Sequence, residues 1–421
     1  MIKITPYCDR SDKESFQREY LRMVAAVVPF YPEDILYDDQ KGQEACKSKR
    51  TPKQRKRKKN GQAEDTVFAK RMAAYGVTDG SDPVGQFRAE AELAQKIIWS
   101  YSEDLHDFLY RGYPSKGRVN RKNLRELLFL KLPEGKVPED YRFDLKRNAS
   151  AGDEKKHAKA LYEYVFPYDE FAKLKHTVDR LGIHELVAWL GVKVCPYCNR
   201  QFTTTVNTKK HKVRPQLDHF RNKNDYPFLA LSINNLVPVC GVCNLLKLDR
   251  DADLIYPYEE CFADEEHVFK TNIPANHTVP ALEGIPIAED DFKIFMERRN
   301  PAAQAKNSDR CGRIENSVDA LSLDELYQAH REYVSYLYRQ RYILTDKLAQ
   351  DFCDQFPSMF PSVEALKQLF VLMNTGYEHW GDRPLAKLTH DIQVEIDELY
   401  SRVKDNDCTE DDAHGKESEH S

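Results

Sequence analysis

The sequence predicts an α+β protein, mainly helical, built around a central metal-stapled core of two strands and a helix. Three observations carry this. Apolar residues recur at helical spacing on both flanks of the chain. Between the flanks, Val194 to Lys247 holds two Cys-x-x-Cys pairs, Cys195-Pro-Tyr-Cys198 and Cys240-Gly-Val-Cys243. Inside that stretch, Thr- and Val-rich runs read as strands ahead of a helix.

Four units follow: residues 1–185, mainly helical; 186–260, the clipped core; 261–404, helical; and 405–421, an acidic tail. At the start, Ile2 to Pro6 reads as a short strand. Phe16, Tyr20, Met23 and Val27 mark a helix over Ser15 to Val28. Residues 47–59 carry nine Lys/Arg and nothing apolar, so this basic arm cannot pack. It is either a solvated loop or a non-specific contact to nucleic-acid phosphates. Thr66 to Tyr75 reads as helical, and Ser81 to Gly85 as a turn. Leu93, Ile97, Tyr101, Leu105 and Phe108 place one amphipathic helix over Gln86 to Tyr110. Asn123 to Leu132 is a short helix or strand stopped by Pro133-Glu-Gly135, and 144–157 a polar loop. Helices follow at Ala158 to Val165 and Tyr168 to Leu190, the second interrupted near Gly182.

Within the central stretch, a Cys-x-x-Cys pair lets two thiolates reach one ion from a single turn, and two pairs complete a tetrahedral site of the structural zinc type. Cys195, Cys198, Cys240 and Cys243 are the expected ligands. Two redox pairs, or cysteines buried as small apolar groups, are the competing accounts. Forty-one residues separate Cys198 from Cys240, so the ion clips together the ends of a folded insert. From 199 to 223 the insert has seven Lys/Arg and one acid, Asp218, beside His219. Gln201 to Asn207 and Val213 to Phe220 read as paired strands joined through Lys209, Lys210 and His211; Leu231 to Leu246 reads as a loop and helix.

Past the core, Tyr256-Pro-Tyr and His267-Val-Phe begin a less regular region with short strands. His267 and His277 lack any surrounding metal motif and read as surface or packing residues. Ser322-Leu-Asp-Glu325 is a capping-box pattern that should open one long helix ending before Pro357 and Pro361. Tyr333, Tyr336, Tyr338 and Tyr342 on it read as core packing rather than a partner surface. Helices follow at Val363 to Met373 and Leu385 to Tyr400. From Asp405 on, seven acids face Lys416 alone, the composition of a disordered tail.

Composition bounds the rest. At 421 residues, 41% hydrophobic and 11% aromatic, the chain can bury a sizeable core. A net charge of −5 gives no global attraction to nucleic acid, so any must be local. The other six of ten cysteines are scattered without paired spacing, which argues against a disulfide framework. No apolar run nears the ~18–20 residues of a membrane helix, and the first residues lack a signal peptide's apolar stretch. The expectation is a soluble, cytoplasmic protein.

The stretch resembles the HNH endonuclease family of the ββα-metal type. Its pattern of Cys-x-x-Cys, Asp-His, Asn-Leu and Cys-x-x-Cys-(His/Asn)-x-x-Lys is met by Cys195–Cys198, Asp218-His219, Asn235-Leu236 and Cys240–Cys243-Asn244 with Lys247. The resemblance implies His219 as general base, Asp218 and Asn244 as ligands of a catalytic Mg²⁺ or Mn²⁺, and Asn235 as the brace of the loop that aims the base. Asn234 is an adjacent competitor for that last role. The motif covers about 55 of the residues. A weaker, whole-chain likeness, including Arg383-Pro-Leu-Ala-Lys-Leu-Thr-His-Asp391, is to HNH subunits of Septu-type and retron-associated anti-phage systems. It implies an ABC/SMC-type ATPase partner and a role in host defence.

The residue types suit hydrolysis of a phosphodiester. A neutral imidazole can take a proton from water. A hard ion held by one carboxylate and one amide keeps room for water and phosphate oxygens, which suits Mg²⁺ or Mn²⁺. The expected function is therefore a metal-dependent endonuclease acting on DNA. The alternatives are a zinc-stabilised nucleic-acid-binding or adaptor module without cleavage, and an RNA- or tRNA-directed nuclease on the same core.

Overall fold

The computed structural model describes residues 2–4, 11–36, 83–112, 117–143, 151–248, 253–262, 267–299, 308–371 and 376–414, with single residues between. The basic arm at 47–59 and the helix expected at 66–75 lie outside the described residues.

Helices dominate. α1 (Lys13–Ala25) buries Phe16, Tyr20, Met23 and Val24, the face its spacing predicts. After the short α2 (Pro32–Ile35), α3 spans Pro83–Tyr101. The expected turn at 83–85 is therefore helical, because a proline at the first helical position has its φ already set. The single helix expected to Tyr110 breaks at Ser102, whose hydroxyl accepts from Leu105 N at 3.3 Å and starts α4 (Glu103–Tyr110). Asn120 caps α5 (Arg121–Leu128) in the same way. α6 (Ala151–Ala160) begins inside the stretch read as a loop and continues into a π-helical turn at Leu161–Val165. α7 (Tyr168–Phe171) and α8 (Ile183–Leu190) are separate helices. At Gly182 a Cβ would stand 2.4 Å from His176 N, so the chain needs glycine there.

The described strands form three two-stranded antiparallel sheets. β1 (Val206–Asn207) pairs with β2 (Lys212–Val213), and β3 (Gln216–His219) with β4 (Leu236–Val239), which leads into α9 (Gly241–Lys247). The expected pairing of Gln201–Asn207 with Val213–Phe220 is met at the hairpin end, where Val206 faces Val213 around the expected turn, and is corrected beyond it, where Gln216–His219 pairs with Leu236–Val239. Leu217 and Asp218 are buried, and their partner must be buried too. The continuous apolar run Leu236-Val-Pro-Val239 supplies it; the exposed, polar 204–210 cannot. β5 (His267–Thr271) pairs with β6 (Ile294–Arg298).

Beyond α10 (Ala275–Leu282), the expected long helix from Ser322 is broken into α12 (Leu323–Tyr327), α13 (Arg331–Ile343) and α14 (Asp346–Gln355), preceded by α11 (Ser308–Ala320). Ser322 sits in the left-handed region (φ 47°), and its side chain caps nothing, so the capping box does not form. Thr345 caps α14 instead. Of the four tyrosines, Tyr338 is buried and Tyr333 half-buried, but Tyr336 and Tyr342 are exposed. α15 (Val363–Phe370) and α16 (Ala386–His414) close the fold. α16 runs ten residues into the segment expected to be unstructured, and 415–421 lie outside the described residues.

One hydrophobic core joins the N-terminal helices to the clipped stretch, from Phe16 through Leu186, Cys195 and Val237 to Leu323. A second core gathers Phe269, Ile294, Leu337 and Ile392 in the C-terminal part. There His267 is a buried packing residue. Burial, then the charges of Arg298 and Lys387, lower its pKa to about 4.

Glu395 of α16 accepts from Thr271 N at 3.0 Å and from its Oγ1 at 2.7 Å. Burial pushes this carboxyl up to about 7. Its contribution is therefore whole below the ordinary value of 4.5 and fades as pH rises through 7. Glu395→Gln keeps the acceptor without the charge. Its Tm should match wild type near pH 4.5 and exceed it by about 2–5 °C near pH 8. Parallel Tm-versus-pH curves would remove Glu395 from the linkage.

Candidate active site

The two Cys-x-x-Cys turns converge. The four sulfurs of Cys195, Cys198, Cys240 and Cys243 lie within 4.8 Å of one another, and Cys198 Sγ stands 3.9 Å from Cys240 Sγ. A tetrahedron with zinc–sulfur bonds of 2.3 Å has edges of about 3.8 Å. A disulfide needs about 2.05 Å, and all four thiols are free. Backbone N–H groups of Arg200, Cys240 and Cys243 donate to Cys198, Cys195 and Cys240 at 3.4–3.5 Å, as thiolate acceptors require. Burial and neighbouring sulfurs hold Cys195 well above the ordinary thiol range, so the buried set becomes four thiolates only with a cation among them. The cluster can bind a metal such as zinc. Asn199 turns the chain after Cys198 at φ 51°, a conformation Asn tolerates.

That turn is held from outside. Asn199 Nδ2 donates to Trp380 O at 2.8 Å, and its two oxygens accept from Leu385 N (2.6 Å) and Lys387 N (3.1 Å). Tyr327 OH donates to Cys198 O at 2.6 Å. Lys387 is buried and paired with buried Asp391 at 2.8 Å. Within the segment from Arg383 to Asp391, Leu385 and Lys387 thus clasp the cysteine turn.

β3 carries Asp218 and His219, opposite Val237 and Leu236 of β4. His219 Nε2 lies 3.1 Å from Ala230 O. A carbonyl only accepts, so Nε2 carries the hydrogen and Nδ1 keeps a lone pair. Nδ1 has no hydrogen-bond partner among the described residues. Tyr168 packs edge-on against the ring at 4.4 Å. Burial first, then Lys223 and Lys247, lower the His219 pKa to about 3, so the imidazole is neutral at physiological pH.

Asn235 is fully buried and ties the loop between β3 and β4. Its Oδ1 accepts from Arg221 N at 2.7 Å, and its Nδ2 donates to Arg221 O and Leu229 O at 3.0 and 3.2 Å. The bond to Leu229 fixes the residue next to the carbonyl that holds His219. Asn234 instead donates to Phe129 O and Leu130 O and fastens the loop to the N-terminal helices. Asn244, half-buried on α9, makes no side-chain hydrogen bond among the described residues.

Asp218 is buried and engaged. Tyr197 OH donates to its Oδ2 at 2.6 Å, and Lys247 Nζ lies 3.0 Å from Oδ2 and 3.3 Å from Oδ1. Lys247 also donates to His219 O at 2.9 Å. Three of about four acceptor sites on the carboxylate are taken, which leaves one. Carboxylate and amide oxygens are donors of the kind a hard ion takes. Among the described residues the four cysteines are the only group of three or more His, Cys, Asp or Glu placed to hold an ion.

Sequence reasoning assigned no role to Lys247, Tyr197 or Tyr168. Lys247 is one helical turn from Asn244, a legible signal. Tyr168 is distant in sequence and gave none. No family model, curated protein or solved structure matches the chain. Among the described residues, no helix is long and apolar enough to cross a membrane.

Proposed function

We propose that the chain is a metal-dependent HNH-type endonuclease that hydrolyses phosphodiester bonds in DNA. The arrangement of His219 supports this best: its ring is held through Nε2 by a loop that Asn235 braces, and Nδ1 keeps a free lone pair. A ring braced through one nitrogen with the other left free is the arrangement a general base needs.

In this reading Nδ1 takes a proton from the attacking water. Asn235 and the Ala230 carbonyl keep the ring in one tautomer. Tyr168 limits its rotation. Asp218 and Asn244 would hold Mg²⁺ or Mn²⁺, which would offset charge on the phosphate and the leaving oxygen. Zinc held by Cys195, Cys198, Cys240 and Cys243 would take no chemical step and would fix β4 and α9 against the turn at Cys195. The defence role and an ABC/SMC-type ATPase partner rest on the sequence resemblance.

The test is plasmid nicking in Mg²⁺ or Mn²⁺ with wild type and His219→Ala. The variant should lose at least about 100-fold in rate while keeping its zinc and its fold. Equal rates would remove His219 from the mechanism. The engagement of the Asp218 carboxylate by Tyr197 and Lys247 favours a second reading, a zinc-stabilised adaptor. Absence of nicking in both proteins, alone and with a co-purified ATPase and nucleotide, would favour it. Total RNA as a parallel substrate separates an RNA-directed enzyme.

A further inference from the structure

The hairpin β1–β2 projects from the core just ahead of the proposed site. All eight residues 206–213 are exposed. Val206 pairs with Val213 and Asn207 with Lys212. A two-stranded hairpin is marginal alone, so this one needs anchors. At the tip, Thr208 N and Oγ1 each donate to His211 O at 2.9 Å, and His211 N donates back to Thr208 Oγ1 at 2.9 Å. At the base, Asn207 donates to Glu185 Oε1 at 2.8 Å, and Arg214 to the carbonyls of Pro215 (2.9 Å) and Ala172 (3.4 Å).

These bonds hold the hairpin in one conformation. Lys209, Lys210 and Lys212 make no salt bridge among the described residues, and His211 stands between them. Glu185 at the base meets part of the Lys212 charge, while the tip cations Lys209 and Lys210 repel one another and are offset by an external anion. Below the tip, Val206, Val213 and nearby Phe202 are 47%, 59% and 55% exposed, an apolar strip that is poorly placed for water. Cations at a tip over an apolar strip match a groove walled by phosphates and floored by base edges and methyl groups.

We propose that this ribbon enters the major groove of B-form duplex DNA beside the cleaved phosphate. The proposal rests on the nuclease reading and adds the substrate's form. The B-form major groove is about 12 Å wide and admits a two-stranded ribbon, whereas the A-form groove of duplex RNA is too narrow. Only Arg214 and Pro215 separate β2 from β3. The chain from Lys210 to His219 spans at most about 30 Å, within one turn of duplex. Ribbon and base thus address the same turn.

The experiment uses the full chain carrying His219→Ala, so that binding is read without cleavage. A labelled 30-mer duplex DNA, the same-sequence duplex RNA and the single strand are titrated by fluorescence anisotropy at several salt concentrations. Duplex DNA should bind tightest. Adding Lys209→Ala, Lys210→Ala and Lys212→Ala together should weaken it at least about tenfold near 0.1 M salt and lower the salt slope by about 2–3. Val206→Thr with Val213→Thr should weaken DNA binding without changing that slope. Zinc content and circular dichroism check the fold. Wild-type affinity and slope in the triple variant overturn the ribbon's role, while nicking by the otherwise native protein leaves the nuclease reading intact. Equal or tighter binding of duplex RNA overturns the groove assignment, as does the absence of binding to all three probes.

Discussion

Cys243→Ser should strip the structural metal and unfold the protein in one step. Binding of a structural zinc is worth about 10–16 kcal/mol at neutral pH, and whole domains are stable by only about 5–15 kcal/mol. Serine supplies no thiolate, and the other three would be buried around an under-coordinated ion. The damage should not stay local. Cys195, Cys198, Cys240 and Cys243 lie in the same apolar core as Tyr20, Leu186 and Val237. The carbonyls of Pro196 and Cys198 accept from Ile2 N and Tyr327 OH, and Asn199 is held by Trp380, Leu385 and Lys387. Loss of the turn therefore releases contacts from both ends of the chain. Wild type should contain about one zinc per chain, and the variant none, with helical circular dichroism largely lost at 37 °C. A variant that is folded, zinc-free and as heat-resistant as wild type would overturn the zinc assignment.

The convergence of the four cysteines was legible because chemistry demands that spacing wherever the chain goes between. Helices whose apolar residues repeat strongly, such as α1, were legible for the same local reason. The turn of the β1–β2 hairpin was legible too, but the partner of Gln216–His219 was not. Thr-rich 201–207 has β propensity, but pairing is decided by which partner covers Leu217 and Asp218, a tertiary matter. The C-terminal helix failed differently. Ser322-Leu-Asp-Glu325 has the residues of a capping box, yet Ser322 sits in the left-handed region and its side chain makes no cap. At the site, the motif favours Asn235 over its neighbour Asn234, and the loop's hydrogen bonds assign the first to the His219 loop and the second to the N-terminal helices. Tyr197 lay in view inside the first cysteine turn. Its bond to Asp218 depends on that turn facing β3.

Lys247→Met should destabilise the protein by about 3–5 kcal/mol, although it removes no apolar packing. The Asp218 and Lys247 side chains are only 6% and 1% exposed, so neither charge is screened by water. Removing the ammonium leaves a buried carboxylate with Tyr197 alone and also orphans the His219 carbonyl. Asp218→Asn in the same background removes the stranded charge, so the double variant should lose clearly less than the two single losses added, the mark of direct coupling. The pair also offers a reading of the cation seat that does not depend on turnover. An ammonium and a divalent ion ask for the same carboxylate oxygens. Mn²⁺ should therefore raise the Tm of Lys247→Met more than that of wild type, and should do little for the double variant. Equal Mn²⁺ effects in all three would place the divalent ion elsewhere. A Lys247→Met protein as stable as wild type would mean that Asp218 reaches water in solution and that its ion pair does not hold the site.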